Sequence, residues 1–290
     1  MSGPFIVVFR ERFVPKFRVG PASLHYDVTG HGPETIVFLH GLLWSGAMFA
    51  AQVAQFSSTY RCVTLDFRGQ GLSDVARDGY DMDDLVGDVL ALVHEIGGSP
   101  VHLAGLSMGG FVAMRIAARR PDLVRSLILL ETSAGAEDRA KISSYRLLGT
   151  IGRYFGFGPV ASRTMPIMFG RTFLRDASRA AERAHWRRAL IANDRIGISR
   201  ALRGVIERKS VEDELSQITA ATLVIVGDED VATVPAKAER IRDGIVGAKL
   251  VVIPRAGHSA TIEEPAAVNA AIASFLAPMR ERFFASRTDE

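Results

Sequence analysis

The apolar residues of this chain gather in six short runs that do not alternate with polar ones. They are "TIVFLHG" (35–41), "RCVTLDFRG" (61–69), "PVHLAGLS" (100–107), "SLILLETS" (126–133), "TLVIVGDED" (222–230) and "KLVVIPRAGH" (249–258). A strand with one wet face alternates, whereas a strand covered on both faces is apolar throughout, so these runs predict a parallel sheet between two layers of helix. The stretches between them carry the helical period instead. In "DMDDLVGDVLALVHEIGG" the residues Met82, Leu85, Val86, Val89, Leu92, Val93 and Ile96 fall on one face, and glycines stop the run. The segment after residue 107 reads as helix to Arg120 and ends at Pro121, which cannot continue one. Near the start, "KFRVGPASLHYDVTG" predicts a hairpin that turns at Gly20-Pro21. The pattern predicts an α/β fold: a doubly wound, mostly parallel sheet with an antiparallel edge.

Residues 135–215 break this rhythm, with helical patterns, no convincing strand, and the aromatics and glycines of "RYFGFGPVASRTMPIMFG". Inserted on the side of the sheet where ligands bind, they are expected to form a helical lid. The expected division is therefore a core of 1–134 and 216–290 with a lid of 135–215. Arg175, Arg179, Arg183 and Arg187 recur every fourth residue, which predicts one basic helix face relieved by Asp176 and Glu182. Attraction for anionic substrates or a membrane surface is the alternative reading of that stripe. For residues 1–15 a further edge strand and an interface both stay open.

Bulk composition narrows the function classes. Of 290 residues, 48% are hydrophobic and 23% charged, and 35 Lys+Arg against 32 Asp+Glu leave a formal charge of +3. That balance gives no support to nucleic acid as a partner. The one cysteine, Cys62, sits in a strand-like run and reads as a buried spectator in a reducing compartment. The start "MSGPFIVVFRERF" lacks the charge order and length of a signal peptide, and no run nears the roughly 18 apolar residues of a membrane span. A cytoplasmic protein acting on a small molecule is the expectation.

In "HLAGLSMGGF" strand gives way to helix within two residues, with Gly105 and Gly109 flanking Ser107. A serine in so sharp a turn is backbone-strained, stands clear of the sheet above a helix N-terminus, and matches the nucleophile pattern G-x-S-x-G. Its hydroxyl needs a base. Of seven histidines, His40 and His258 end predicted strands on the correct side, and His258, after the last strand in "PRAGHSATIEEP", is the chosen base. His25 and His31 flank the hairpin. A carboxylate must hold the base's tautomer: Asp230 in "VIVGDEDVATVP" is preferred, Asp228 is its close competitor, and Glu131 ranks third. The chain order serine, acid, histidine excludes Asp66.

An oxyanion needs donors already in place. The backbone N–H of Met108, after the nucleophile, is one. The N–H of Leu42 in "FLHGLLWSG" is the second, since Gly41 lets the chain turn there. His40 is expected to prop this loop, and His40 and Trp44 are candidates for lining the pocket, with a core role open for Trp44. "DFRGQGLSD" is too short of small residues for a dinucleotide loop, there is no Walker-type loop, and no H-E-x-x-H pair or cysteine cluster implies a metal. No cofactor is expected.

Together "HGLLWSG", "DFRGQGLSD", "GLSMGG", "VGDEDVATVP" and "AGHSATIEEP" resemble the α/β-hydrolase fold family in order and rough spacing, over about residues 20–134 and 216–277. The resemblance implies a Ser107–Asp230–His258 triad with Leu42 and Met108 as oxyanion donors. It makes Asp66, Arg68 and Ser73 structural. "GLSMGG" with "GDEDVATVP" resembles the 3-oxoadipate enol-lactonase branch and carboxylesterases; carbon–carbon hydrolases more often have Asn where this chain has Leu106. The expected activity is hydrolysis of a small carboxylic ester or lactone through an acyl-enzyme. A carbon–carbon hydrolase or cofactor-free haloperoxidase on the same triad, and a hydrolase-like receptor with little turnover, are the alternatives.

Overall fold

The computed structural model describes residues 15–98 and 100–288. The edge-strand and interface expectations for residues 1–15 fall outside that range, apart from Pro15. Among the described residues eight strands form a single sheet in the order β1-β2-β4-β3-β5-β6-β7-β8. They are β1 (Lys16–Val19), β2 (Ala22–Thr29), β3 (Thr35–Leu39), β4 (Arg61–Leu65), β5 (Val101–Leu106), β6 (Val124–Leu130), β7 (Ala221–Gly227) and β8 (Lys249–Ile253). β1 and β2 run antiparallel at one edge, and the pairings from β4 to β8 are all parallel.

The unbroken apolar runs have a direct cause. Ile36, Phe38, Ala104, Leu106, Ile128, Leu130, Leu223 and Ile225 pack into the layer on one face. Their neighbours Val37, Leu39, Leu103, Leu127, Leu129, Val224 and Val226 pack on the other. With both faces dry, apolar residues dominate both sets of alternating positions, and a polar exception such as His102 is paired, its Nδ1 lying 2.7 Å from Ser126 Oγ. Helices α1 (Ala50–Phe56), α2 (Met82–Glu95) and α3 (Met108–Arg119) follow β3, β4 and β5. Helix α2 starts at a capping box in which Asp84 N–H donates to Asp81 Oδ1 at 2.8 Å, a device worth about 1 kcal/mol.

Between β6 and β7 the described elements are helical: α4 (Arg139–Phe155), α5 (Ala161–Met168), α6 (Arg171–Arg175), α7 (Ala180–Ala192) and α8 (Arg195–Ile206), with 3-10 turns at Ala177–Arg179 and Glu212–Gln217. Then come α9 (Pro235–Gly244), α10 (Ala260–Glu263) and α11 (Pro265–Thr288).

Two sequence expectations change here. His25 lies inside β2 rather than beside the hairpin. The arginines at 175, 179, 183 and 187 do not share one helix face, because they fall in α6, a 3-10 turn and α7. Asp176, which ends α6 and caps the 3-10 turn, interrupts the helical run between Arg175 and Arg179. Two of the four arginines are spent on backbone carbonyls. Arg179 donates from Nη1 to Glu263 O at 2.5 Å and from Nη2 to Ile262 O at 2.9 Å, satisfying the C-terminal end of α10. Arg183 donates to the carbonyls of Phe173, at 3.2 Å, and Asp176. No helix among the described residues is long and apolar enough to cross a membrane.

Candidate active site

Ser107 joins β5 to α3 with φ 51° and ψ −110°, a backbone conformation that L side chains rarely adopt and that costs of order 1–3 kcal/mol. The surroundings force it. A Cβ on Gly105 would lie 2.4 Å from Gly109 O, and one on Gly109 would lie 2.0 Å from Leu39 O. Glycine is required at both positions because backbone approaches backbone. Three hydrogen bonds hold the turn: Ser107 N–H to Leu130 O at 2.9 Å, Phe111 N–H to Ser107 O at 3.0 Å, and the Thr132 hydroxyl to Ser107 O at 2.8 Å.

Three residues picked from distant stretches meet at this turn. His258 Nε2 lies 2.9 Å from Ser107 Oγ, and its Nδ1 lies 2.9 Å from Asp230 Oδ2. A carboxylate only accepts, so Nδ1 carries the proton and Nε2 presents its lone pair to the serine hydroxyl. Asp230 and His258 are 3% and 5% exposed, so the pair is shielded from solvent while Ser107 is half-buried. Asp230 also accepts the N–H groups of Ala232, at 2.8 Å, and Thr233, at 2.9 Å, and the Thr233 hydroxyl at 2.7 Å. Burial alone would raise its carboxyl, but the His258 charge and the His258 and Thr233 hydrogen bonds outweigh that and hold it below the usual value. It therefore stays ionised where a base's partner must. The competitors fall elsewhere. Asp228 Oδ1 accepts Arg255 N–H at 2.7 Å and so fastens the loop after β8.

Glu131 ends β6 with φ 39°, fully buried, and burial with the charges of Asp230 and Glu263 pushes its carboxyl well above the ordinary value. Burial thus favours its neutral form, and neither of its oxygens has a hydrogen-bond partner.

The loop after β3 abuts the elbow: a Cβ on Gly41 would lie 3.3 Å from Ser107 Cβ. His40, fully buried, accepts Phe67 N–H on Nε2 at 2.9 Å, so its Nδ1 bears the proton donated to Gly41 O at 2.7 Å. Burial lowers its pKa, partly offset by Asp66 and by the bond to Gly41, so the ring is a neutral prop. Next to it Leu43, at φ 75°, donates its N–H to Gln70 Oε1 at 2.9 Å and accepts on its carbonyl from Asn193 at 2.9 Å.

A cavity of about 110 Å³ opens on Ser107 and His258, walled by Leu42, Leu43, Phe111 and side chains of α4, α5 and α8. The expectation that His40 and Trp44 line it is corrected. Neither is among its walls. His40 is drawn back beneath the loop by its two hydrogen bonds, and Trp44, 3% exposed, is held 5.7 Å from Phe169 and 5.3 Å from Trp186, ring centroid to ring centroid. Among the described residues no group of three His, Cys, Asp or Glu side chains is arranged to hold a metal ion.

Two residues of the site were not picked out from the sequence. Thr233 braces Asp230 and also stands 3.2 Å from His258 Nδ1; its signal is a hydroxyl three residues after an aspartate at a strand end. Glu263 accepts Gly257 N–H at 3.0 Å and Ser259 N–H at 3.1 Å on Oε1, and Gly170 N–H at 2.7 Å on Oε2. It thereby clamps both neighbours of His258. Burial raises its carboxyl to about 7, against the pull of those three N–H groups. No motif in the sequence marks it; it is the first of the two glutamates before Pro265.

Residues 36–271 match the sequence model of the alpha/beta hydrolase family. The chain belongs to the alpha/beta hydrolase family. Among relatives of this hydrolase, a Mycobacterium tuberculosis protein whose name reads non-heme bromoperoxidase is 28% identical over 275 residues, covering 89% of this chain and 99% of that one. The enol-lactonase from Burkholderia xenovorans superposes with a TM-score of 0.84 at 27% identity, over 91% of this chain and 100% of its own. A thermophilic esterase from Thermogutta terrifontis gives 0.84 at 28% identity, over 91% and 98%.

Proposed function

We propose that this hydrolase cleaves a small carboxylic ester or lactone through an acyl-enzyme, with Ser107 as nucleophile, His258 as general base and Asp230 as the carboxylate that fixes and charges-balances the imidazole. The observation that carries the reading is His258 bridging Ser107 Oγ and Asp230 Oδ2 at 2.9 Å on each side, at the wall of an apolar cavity. Attack on the carbonyl passes the hydroxyl proton to His258 Nε2. The resulting imidazolium gives it to the leaving alcohol, and water activated by the same nitrogen releases the acid. The N–H groups of Leu42 and Met108 are the donors we assign to the oxyanion, because the Gly41 turn lies against the elbow and Met108 opens α3. The helices between β6 and β7, which supply most of the cavity wall, are the lid in this reading, with residues 135–215 as its extent and 1–134 with 216–290 as the core. The solved enol-lactonase and esterase relatives support the ester and lactone class. The bromoperoxidase-named relative keeps a second reading in play, cofactor-free peroxidation on the same three residues.

We place it in the cytoplasm by default, as its one cysteine cannot form an internal disulfide. Cys62 is buried, and burial pushes its thiol up to about 12, away from reactivity. The test is turnover of short p-nitrophenyl esters and of lactones by wild type and Ser107→Ala. Loss of hydrolysis together with loss of fluorophosphonate labelling is expected. Retained ester hydrolysis in the variant overturns the assignment, and labelling without turnover in wild type favours a receptor.

A further inference from the structure

The cavity beside Ser107 is charged on one side only. Its walls are largely aliphatic and aromatic, including Leu148, Phe157, Ile167, Met168 and Leu202. Among the described residues that line it, Glu137 is the acidic one, and no lysine or arginine is present. The Glu137 carboxylate is fully engaged. Oε2 accepts Arg208 Nη1 at 2.8 Å, and Oε1 accepts Asp138 N–H at 2.9 Å. Burial would raise its carboxyl, but the Arg208 charge and these bonds outweigh burial, so it is ionised.

The nearby cations Arg208, Lys141 and Lys237 lie off the cavity wall. Arg208 donates to Val205 O at 2.8 Å, Gly135 O at 3.2 Å and Ser133 Oγ at 3.3 Å, and its guanidinium lies 4.1 Å from the Phe111 ring centroid. Lys141 Nζ donates to Val231 O at 2.7 Å and Ala232 O at 3.0 Å. Lys237 Nζ, buried and without a hydrogen-bond partner, is attracted by Glu137 and repelled by Arg208, and Lys237 is not part of the cavity wall. A substrate carboxylate entering here would lose its water, face the Glu137 carboxylate on the wall, and meet no lysine or arginine among the described residues that line the cavity.

Resting on the hydrolase reading above, we propose that this cavity selects uncharged, apolar substrates, with Glu137 as the specificity-determining residue that turns away carboxylated ones. The size narrows the class. About 110 Å³ is somewhat less than the roughly 150 Å³ cavity that accepts benzene, so the group it holds has about four to six carbon atoms. The substrate is thus a neutral ester or lactone with a short aliphatic or small cyclic arm, not a half-ester of a dicarboxylic acid.

The experiment compares matched pairs on the full chain at pH 8. One pair is p-nitrophenyl pentanoate against mono-p-nitrophenyl glutarate, which places a carboxylate at the end of the acyl arm. The other is 4-carbamoylphenyl against 4-carboxyphenyl pentanoate, which places it on the leaving group. At least one placement is expected to lower kcat/KM by 100-fold or more. A loss of less than tenfold in both overturns the proposal. Glu137→Gln is expected to raise the carboxylated-to-neutral ratio at least fivefold, and an unchanged ratio in the folded variant removes Glu137 from its role. Should that variant fail to fold because Arg208 is left unpaired, Leu202→Lys, which supplies a cation to the wall, is expected to raise the same ratio. Absence of any ester turnover would count against the hydrolase reading instead. The charge filter would then be read from calorimetric binding of the matching anilides, where equal affinity for the neutral and carboxylated forms overturns it.

Discussion

Two buried polar clusters flank the loop after β3, and they differ in where their hydrogen bonds end. In the first, Asp66 accepts Gly46 N–H at 2.7 Å and Leu72 N–H at 2.9 Å, the Ser73 hydroxyl donates to Asp66 O at 2.5 Å, and Ser73 Oγ accepts His25 N–H at 2.8 Å. Arg68 forks onto both oxygens of Asp88, Nε at 2.8 Å to Oδ2 and Nη2 to Oδ1. Each chain of bonds there closes on another protein group. The second cluster runs from Thr233 through Asp230 and His258 to Ser107, and its last hydroxyl faces a cavity. The first also has relaxed backbone at its serine, whereas Ser107 sits at φ 51°. A closed network rigidifies, while an open one held under strain has a group left over for a ligand.

That contrast predicts opposite consequences for mutation. Ser107→Ala is expected to cut ester kcat by about 10⁶-fold, as loss of a triad nucleophile does, while leaving the thermal midpoint within a few degrees of wild type. Steady-state kinetics beside thermal melting checks this; a variant that melted early but kept its rate would reverse the roles of the two clusters. Asp230→Asn should cost about 10⁴-fold in kcat by stabilising the wrong imidazole tautomer. A loss below tenfold would mean that another acid, Glu131 first, serves His258.

Smaller and opposite in kind, Asp88→Ala strands the buried Arg68 guanidinium and should remove about 3–5 kcal/mol of stability, read by urea unfolding, with kcat per folded molecule within about threefold of wild type. Least affected should be Glu131→Gln, since the amide has the same shape and the carboxyl has no hydrogen-bond partner to lose: about 1 kcal/mol or less at pH 5. The sign with pH is definite. Glu131 and Glu263 are raised above the ordinary 4.5 when folded, so the folded state holds their protons longer, and stability falls as pH climbs from 4.5 through about 7 and beyond. Melting temperatures across pH 5–9 should fall less steeply in Glu131→Gln than in wild type, and an equal slope would remove Glu131 from that account.

The sheet was legible in the sequence because burial on both faces leaves an unmistakable apolar run, and the glycines around Ser107 were legible because close backbone approach admits no other residue. His258 and Asp230 could be chosen because loops at strand ends are where functional side chains gather. What stayed hidden depends on contacts between distant segments. The arginine spacing at 175–187 reads as one helix, but the chain breaks at Asp176, and two of its members donate to backbone carbonyls instead. Trp44 read as pocket or core with equal force, and only its aromatic neighbours Phe169 and Trp186, far along the chain, decide the matter. Glu263 left no periodic or motif signal, since its three partners are backbone N–H groups in two separate loops.

The Glu263 clamp has a mechanical corollary. One carboxylate grips Gly170, within the helical segment over the cavity, and the two residues on either side of the imidazole. Arg179 adds a second rivet from that segment to the short helix just beyond. The segment at this end is therefore tied to the same carboxylate that holds the loop of His258. On the proposed reading, a shift large enough to pull Gly170 away would tug the imidazole out of line with the serine, so a gaping enzyme would also be a disarmed one.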